Sequence, residues 1–242
     1  MFNHFVIYFY KLLLQKILTL CEHTLFPSNL KAHKMIYTRR RFLLYTALLT
    51  LTACSSKTKH ARIAKNNTVV ALGDSLTEGF GAMSPDSAYP MVLQQLTGWR
   101  VVNHGISGDT SAGVLDRLPE TLSLNPKLIL LGIGGNDFLR KIGENEIRSN
   151  IIQIIQQIKN NQIPIVLIAE PHFTVSALFG NFKDHPMYKD IARQENIPLL
   201  SDLWSEILSD KSLKSDQIHA NDAGYRFFAE KLTKFLKQQG FL

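Results

Sequence analysis

Four short segments carry residue types suited to acyl transfer. Gly73-Asp74-Ser75-Leu76 presents a hydroxyl at a turn that its glycine lets run sharply. Ser107-Gly108-Asp109-Thr110 presents a backbone N–H with no side chain to shield it. Gly134-Gly135-Asn136-Asp137 brings the backbone close and adds a side-chain NH₂. Asp216-Gln217-Ile218-His219 sets a carboxylate three residues before an imidazole, a spacing that lets one turn fold the acid onto Nδ1. Each has a common alternative when taken alone. A serine at a helix start is a frequent cap, and Gly, Asn and Asp dominate turns in any protein. Asp216 and His219 alone read as a surface acid and a helix-start histidine. Together they make a full cast: Ser75 as nucleophile, His219 as base, Asp216 as its orienting acid. The backbone N–H groups of Ser75 and Gly108 and the amide of Asn136 are candidate donors to an oxyanion.

The elements that must position these residues alternate between short apolar runs and helical patterns. Strands are expected at Thr68–Leu72, Trp99–Asn103, Leu128–Ile133, Pro164–Ile168 and Ile197–Leu200. The third has no polar face, as in a parallel sheet covered on both sides. Helices are expected at Ala88–Leu96, Ser111–Leu122, Glu144–Lys159, Met187–Glu195 and Asp222–Gln239. In the third, Ile147, Ile151, Ile154, Ile155 and Ile158 form one stripe. Strands separated by helices imply right-handed crossovers and a parallel sheet. The expected fold is α/β: a three-layer α/β/α sandwich with a five-stranded parallel sheet. In such sheets a site forms outside the carboxyl ends of the strands, and the first three segments lie there.

In these segments the chain resembles the SGNH hydrolases, also called GDSL esterases and lipases. The likeness is nearest to the thioesterase I, lysophospholipase and arylesterase branch and runs from about Val69 to Leu236. The resemblance implies a flavodoxin-like fold, Ser75 as nucleophile, Asp216 and His219 as its partners, and Gly108 and Asn136 completing the oxyanion hole. It implies no metal and no cofactor. One departure is visible: the family usually has proline after the histidine, where this chain has Ala220. Asp74 and Asp137 read as acceptors for local backbone amides, and His104 and His172 as structural.

The first fifty-odd residues differ from the rest. Met1–Ala53 hold seven basic residues and one acid, leaving 20 basic against 19 acidic residues from Cys54 onward. The positive charge therefore belongs to the leader, which argues against a nucleic-acid partner. Thr38-Arg39-Arg40-Arg41 followed by apolar Phe42–Leu51 reads as an export signal. It has features of both the general and the twin-arginine types. Leu51-Thr52-Ala53-Cys54 resembles a bacterial lipobox, which implies lipidation at Cys54 and a membrane as partner. The other cysteine, Cys21, lies upstream, so the mature body would hold no disulfide. The division expected is residues 1–34 as an extension ahead of a true start at Met35, 35–53 as signal peptide, 54–67 as polar tether (with His60 in it) and 68–242 as the hydrolase domain. Ser55 in place of aspartate leans toward the outer membrane.

Substrate is expected to contact the apolar, aromatic loop after the fourth strand, where Phe173, Leu178 and Phe179 would wall an acyl groove. That favours aliphatic or aryl esters, lysophospholipids or acyl thioesters. Two other readings fit the same sequence: an O-deacetylase of envelope carbohydrate, and a non-catalytic envelope lipoprotein.

Overall fold

The computed structural model describes residues 60–172 and 182–242, all within the compact unit Thr58–Leu242. The signal segment, Cys54 and the loop residues Phe173, Leu178 and Phe179 lie outside the described residues.

Five parallel strands form one sheet: β1 (Thr68–Gly73), β2 (Arg100–Gly105), β3 (Leu128–Gly132), β4 (Ile165–Ile168) and β5 (Leu199–Leu200), in the order β2-β1-β3-β4-β5. Val69 pairs with Val101 on one side and Leu128 on the other, so β1 is central and β1 and β3 are adjacent. Both are buried almost throughout, as their unbroken apolar runs require. Because the strand order turns back after β2, connections leave β1 and β3 in opposite directions. The crevice between their carboxyl ends is where such sheets bind ligands.

Helices cover both faces. One face of the sheet packs on α2 (Tyr89–Thr97), α8 (Leu203–Ser209) and α9 (Asp222–Gln239), around Tyr89, Trp204 and Phe228. Trp204 stacks on Phe228 with ring centroids 3.9 Å apart. The other face packs on α3 (Ser111–Asp116), α4 (Leu118–Ser123), α6 (Glu144–Asn160) and α7 (Met187–Glu195). The isoleucine stripe of α6 is wholly buried, so it supplies this layer much as its periodicity predicts. Two short helices sit at the strand ends, α1 (Ser75–Glu78) and α5 (Gly135–Leu139).

The helix expected over Ser111–Leu122 is two helices. Arg117 closes α3, and Pro119 stands in the first turn of α4. Proline has no N–H and its ring clashes with the carbonyl four residues back, so a continuous helix cannot pass through it. The fifth strand is shorter than expected because it pairs only at Leu199 and Leu200, on the sheet edge. The polar stretch preceding β1 joins the domain from residue 60. Ile63 is buried, its N–H donates to Phe241 O at 2.9 Å, and its carbonyl accepts the Trp99 indole N–H at 3.2 Å. His60 stacks on Phe241 at 4.3 Å. Residues 60–63 thus clasp the end of α9.

Candidate active site

Ser75 is the first residue of α1, immediately after β1. The cap of that helix is Asp74, whose Oδ1 accepts the Leu76 N–H at 3.0 Å, so the serine hydroxyl is left free of a capping role. The turn needs glycine at residue 73: a Cβ there would lie 2.3 Å from both Gly132 O and Thr77 Oγ1. The N–H of Ser75 stands at the first helical position, where no intrahelical acceptor exists.

His219 reaches Ser75 from a sequence distance of 144 residues, with Nε2 at 3.1 Å from Oγ. Its Nδ1 lies 2.7 Å from Asp216 Oδ2. Asp216 Oδ1 also accepts the N–H groups of Ile218 and His219, each at 2.8 Å. Partial burial would raise the Asp216 pKa, but the hydrogen bonds from His219 and Ile218 outweigh it and hold the carboxyl below its ordinary value. It is therefore ionised at neutral pH, which fixes the tautomer with Nδ1–H donated to the acid and Nε2 open to a proton. Ala220, in the position of the absent proline, is fully buried. The turn is closed instead by Ser215, whose N–H donates to His219 O at 3.0 Å and whose hydroxyl donates to Ala220 O at 3.1 Å. Phe80 packs against the imidazole with centroids 4.5 Å apart.

Gly108 adopts a left-handed φ of 80°. Its N–H takes no hydrogen bond among the described residues, while its carbonyl accepts Arg140 Nη2 at 2.6 Å. Glu78 holds the same turn by accepting the Ser107 N–H at 2.8 Å and the Ser107 hydroxyl. Arg117 ties the turn to the sheet. Its Nε pairs with Asp109 Oδ2 at 2.7 Å, and its two Nη groups donate to His104 O at 3.0 Å and Gly73 O at 2.9 Å. One guanidinium thus fastens the carboxyl ends of β1 and β2 together.

Asn136, in α5 after β3, points its Nδ2 into this cluster, donating to Asp109 O at 2.9 Å and to Asp74 Oδ2 at 3.1 Å. Asp137 is fully buried and accepts from Ser111, its N–H at 2.9 Å and its hydroxyl at 2.6 Å. Of the two aspartates beside the motifs, Asp74 bonds a local amide as expected. Asp137 instead links α5 to α3 across the sheet end. His104 bonds Thr121 at 2.8 Å, and His172 packs with Phe138 and His185.

The structure therefore brings Ser75, Gly108, Asn136, Asp216 and His219 to one place. It also places residues there that the sequence reading passed over. Phe80 and Met83 line a groove of about 550 Å³ beside the histidine. Leu139 and Glu170 border a smaller cavity with Ser75 and His219. Phe80 and Met83 sit in a short turn and Leu139 ends the five-residue helix α5, so no periodicity marks them. They are nonetheless large exposed apolar residues, at 52%, 92% and 45%.

A hydroxyl–imidazole–carboxylate chain beside converging amide donors, at the carboxyl ends of a parallel sheet, defines a serine hydrolase of the α/β/α class. Residues 71–227 match the GDSL-like lipase/acylhydrolase family, and the chain belongs to it. It is 33% identical over 186 residues to thioesterase 1/protease 1/lysophospholipase L1 of Escherichia coli (strain K12), covering 73% of this chain and 86% of that one. It is 28% identical over 185 residues to an arylesterase of Vibrio mimicus, covering 69% and 89%. The psychrotrophic esterase EstA of Pseudoalteromonas sp. shares the fold, with a TM-score of 0.61 at 22% identity over 71% of this chain and 97% of that one. The chain is a serine ester hydrolase, and neither the deacetylase nor the non-catalytic reading is needed to account for it.

Proposed function

We propose that Ser75 is the nucleophile of this hydrolase, His219 its general base and Asp216 the acid that orients the base. The unbroken chain of hydrogen bonds from Ser75 through His219 to Asp216, at 3.1 and 2.7 Å, is the observation that carries this reading. Ser75 Oγ attacks the carbonyl carbon of an ester or thioester while its proton passes to His219 Nε2. The oxyanion rests on the N–H groups of Ser75 and Gly108 and on the Asn136 amide. His219 then gives its proton to the departing alcohol or thiol, leaving an acyl group on Ser75. Water attacks that acyl group, its proton passes to His219, and the acid leaves as Ser75 recovers its hydrogen. Ser75→Ala should abolish turnover of a short p-nitrophenyl ester in folded protein; retained turnover would refute the assignment.

The substrate class we propose is esters or thioesters with apolar acyl or aryl groups. Exposed Phe80 and Met83 beside His219 support it, as do the thioesterase/lysophospholipase and arylesterase names of the relatives. The apolar, aromatic sequence of the segment holding Phe173, Leu178 and Phe179 supports the same class. Activity rising with acyl length, and falling on Phe80→Ala or Phe179→Ala, is the expected pattern. A flat dependence would remove the groove from the account. We also propose export with lipidation at Cys54, and therefore a periplasm-facing membrane anchor. The lipobox-like Leu51-Thr52-Ala53-Cys54 supports that reading. Cys54→Ala should move the protein from the membrane to the soluble fraction.

A further inference from the structure

Glu170 follows β4 and belongs to neither the triad nor the oxyanion donors. It is 1% exposed. Its Oε2 accepts the Gly135 N–H at the start of α5. Its Oε1 is, among the described residues, the one buried side-chain oxygen or nitrogen with no hydrogen-bond partner. A carboxylate in that position would be costly, because a buried charge needs pairing. No cation among the described residues compensates it. The groups that act on it are the carboxyls of Asp74 and Asp137, and its own pKa stands well above the ordinary value, through burial first and then the Asp74 charge. Asp74 is raised to about 7 by burial, with Asp109 and Asp137 adding to the rise. The Tyr89 and Tyr188 phenols complete the surroundings and carry no charge at neutral pH. Asp74 and Glu170, both buried, border one cavity with Ser75 and Asn136, and two buried acids that act on each other share a proton rather than ionise together.

The consequence falls on Asn136. Its amide has two N–H groups; one is held by Asp109 O and the other by Asp74 Oδ2. A substrate oxygen must compete with Asp74 for the second. A proton donated onto Asp74 weakens that acceptor and eases the exchange, whereas a full carboxylate would hold the amide and set a negative charge beside the developing oxyanion. We propose that Glu170 is a positioning residue of the oxyanion hole: as a neutral acid it donates its proton to Asp74 and so frees the Asn136 amide for the substrate carbonyl. This rests on the reading of Asn136 as an oxyanion donor.

Glutamine reproduces the neutral acid, with a carbonyl for the Gly135 N–H and an NH₂ for Asp74. Leucine supplies neither. Kinetics of Glu170→Gln, Glu170→Leu, Asn136→Ala and the Glu170→Leu/Asn136→Ala double variant on a p-nitrophenyl ester decide the matter. Glu170→Gln should keep kcat within about threefold, and Glu170→Leu should lose roughly tenfold or more in kcat with KM little changed. In the Asn136→Ala background the leucine change should cost less than about threefold, because the group it positions is gone. A tenfold-order loss in Glu170→Gln overturns the proposal, and that variant decides alone if the leucine variant does not fold. So does a folded Glu170→Leu with wild-type kcat, or an equal cost in both backgrounds. An Asn136→Ala variant with undiminished kcat would instead remove the oxyanion assignment itself, and this inference with it.

Discussion

Asp216 and His219 are joined by contacts confined to four successive residues, so the pair is a local structure that Ser75 meets from another part of the chain. Asp216 holds the imidazole through one oxygen and its own turn through the other. Asp216→Asn should therefore leave the fold intact while reversing the Nδ1 tautomer, and turnover should fall by up to about 10⁴. Steady-state kinetics with a check of circular dichroism measure this; a loss under tenfold would show that the acid is not orienting the base. Asn136→Ala should cost roughly 10²–10³ in kcat, the scale of a lost oxyanion donor, and a loss under twofold would place the amide outside the hole. The principal residues of the site were legible in the sequence because Ser75, Gly108, Asn136 and His219 sit in glycine- and aspartate-marked turns at element ends. Glu170 was not legible. An acid after Ile168-Ala169 reads as the start of a loop, and only its burial against Asp74 distinguishes it from a solvated one.

At the scale of elements, the strands and long helices follow from hydrophobic period alone, and α7 and α9 have the bounds their patterns predict. The failures are equally physical. α1, α5 and α8 have at most seven residues, too few for a 3.6-residue period to show. Those short helices nonetheless carry Ser75 and Asn136, so the part of the fold that matters most to chemistry is the part periodicity reads worst. What holds them is tertiary. Arg117 binds the ends of β1 and β2 through two hydrogen bonds and the Asp109 turn through a third, with its side chain 12% exposed. Arg117→Ala should destabilise the protein by about 3–5 kcal/mol, because it leaves the largely buried Asp109 carboxylate without its ion-pair partner. Urea unfolding gives the figure, and a change below 1 kcal/mol would mean that the strand ends are held by other contacts.

At the scale of the whole molecule, stability should depend on pH through the buried acids. Asp74 and Glu170 have raised pKa values, so the native state keeps protons that the unfolded chain releases. Stability from these groups is thus greatest below the ordinary carboxylate pKa and falls as pH rises toward 7, by up to about 1.4 kcal/mol per pH unit per proton. Glu170→Gln removes one such group. Its melting temperature should exceed that of the wild type by more at pH 8 than at pH 5, and a gap independent of pH would show that Glu170 is not held neutral. The three-layer sandwich was readable from the alternation of strands and helices, which admits few other arrangements, whereas the strand order that opens a crevice between β1 and β3 emerges only in the fold. The clasp of residues 60–63 on α9 was not, because a polar, lysine-containing stretch gives no sign that Ile63 will find a pocket.

All of this depends on Ser75 being activated by His219. The most direct measurement is reaction of the folded protein with a fluorophosphonate probe, the adduct being mapped by mass spectrometry. A single stoichiometric adduct on Ser75, lost in Ser75→Ala and strongly slowed in His219→Ala, is the predicted result. Absence of labelling in folded, ester-hydrolysing protein, or labelling on another residue, would contradict it.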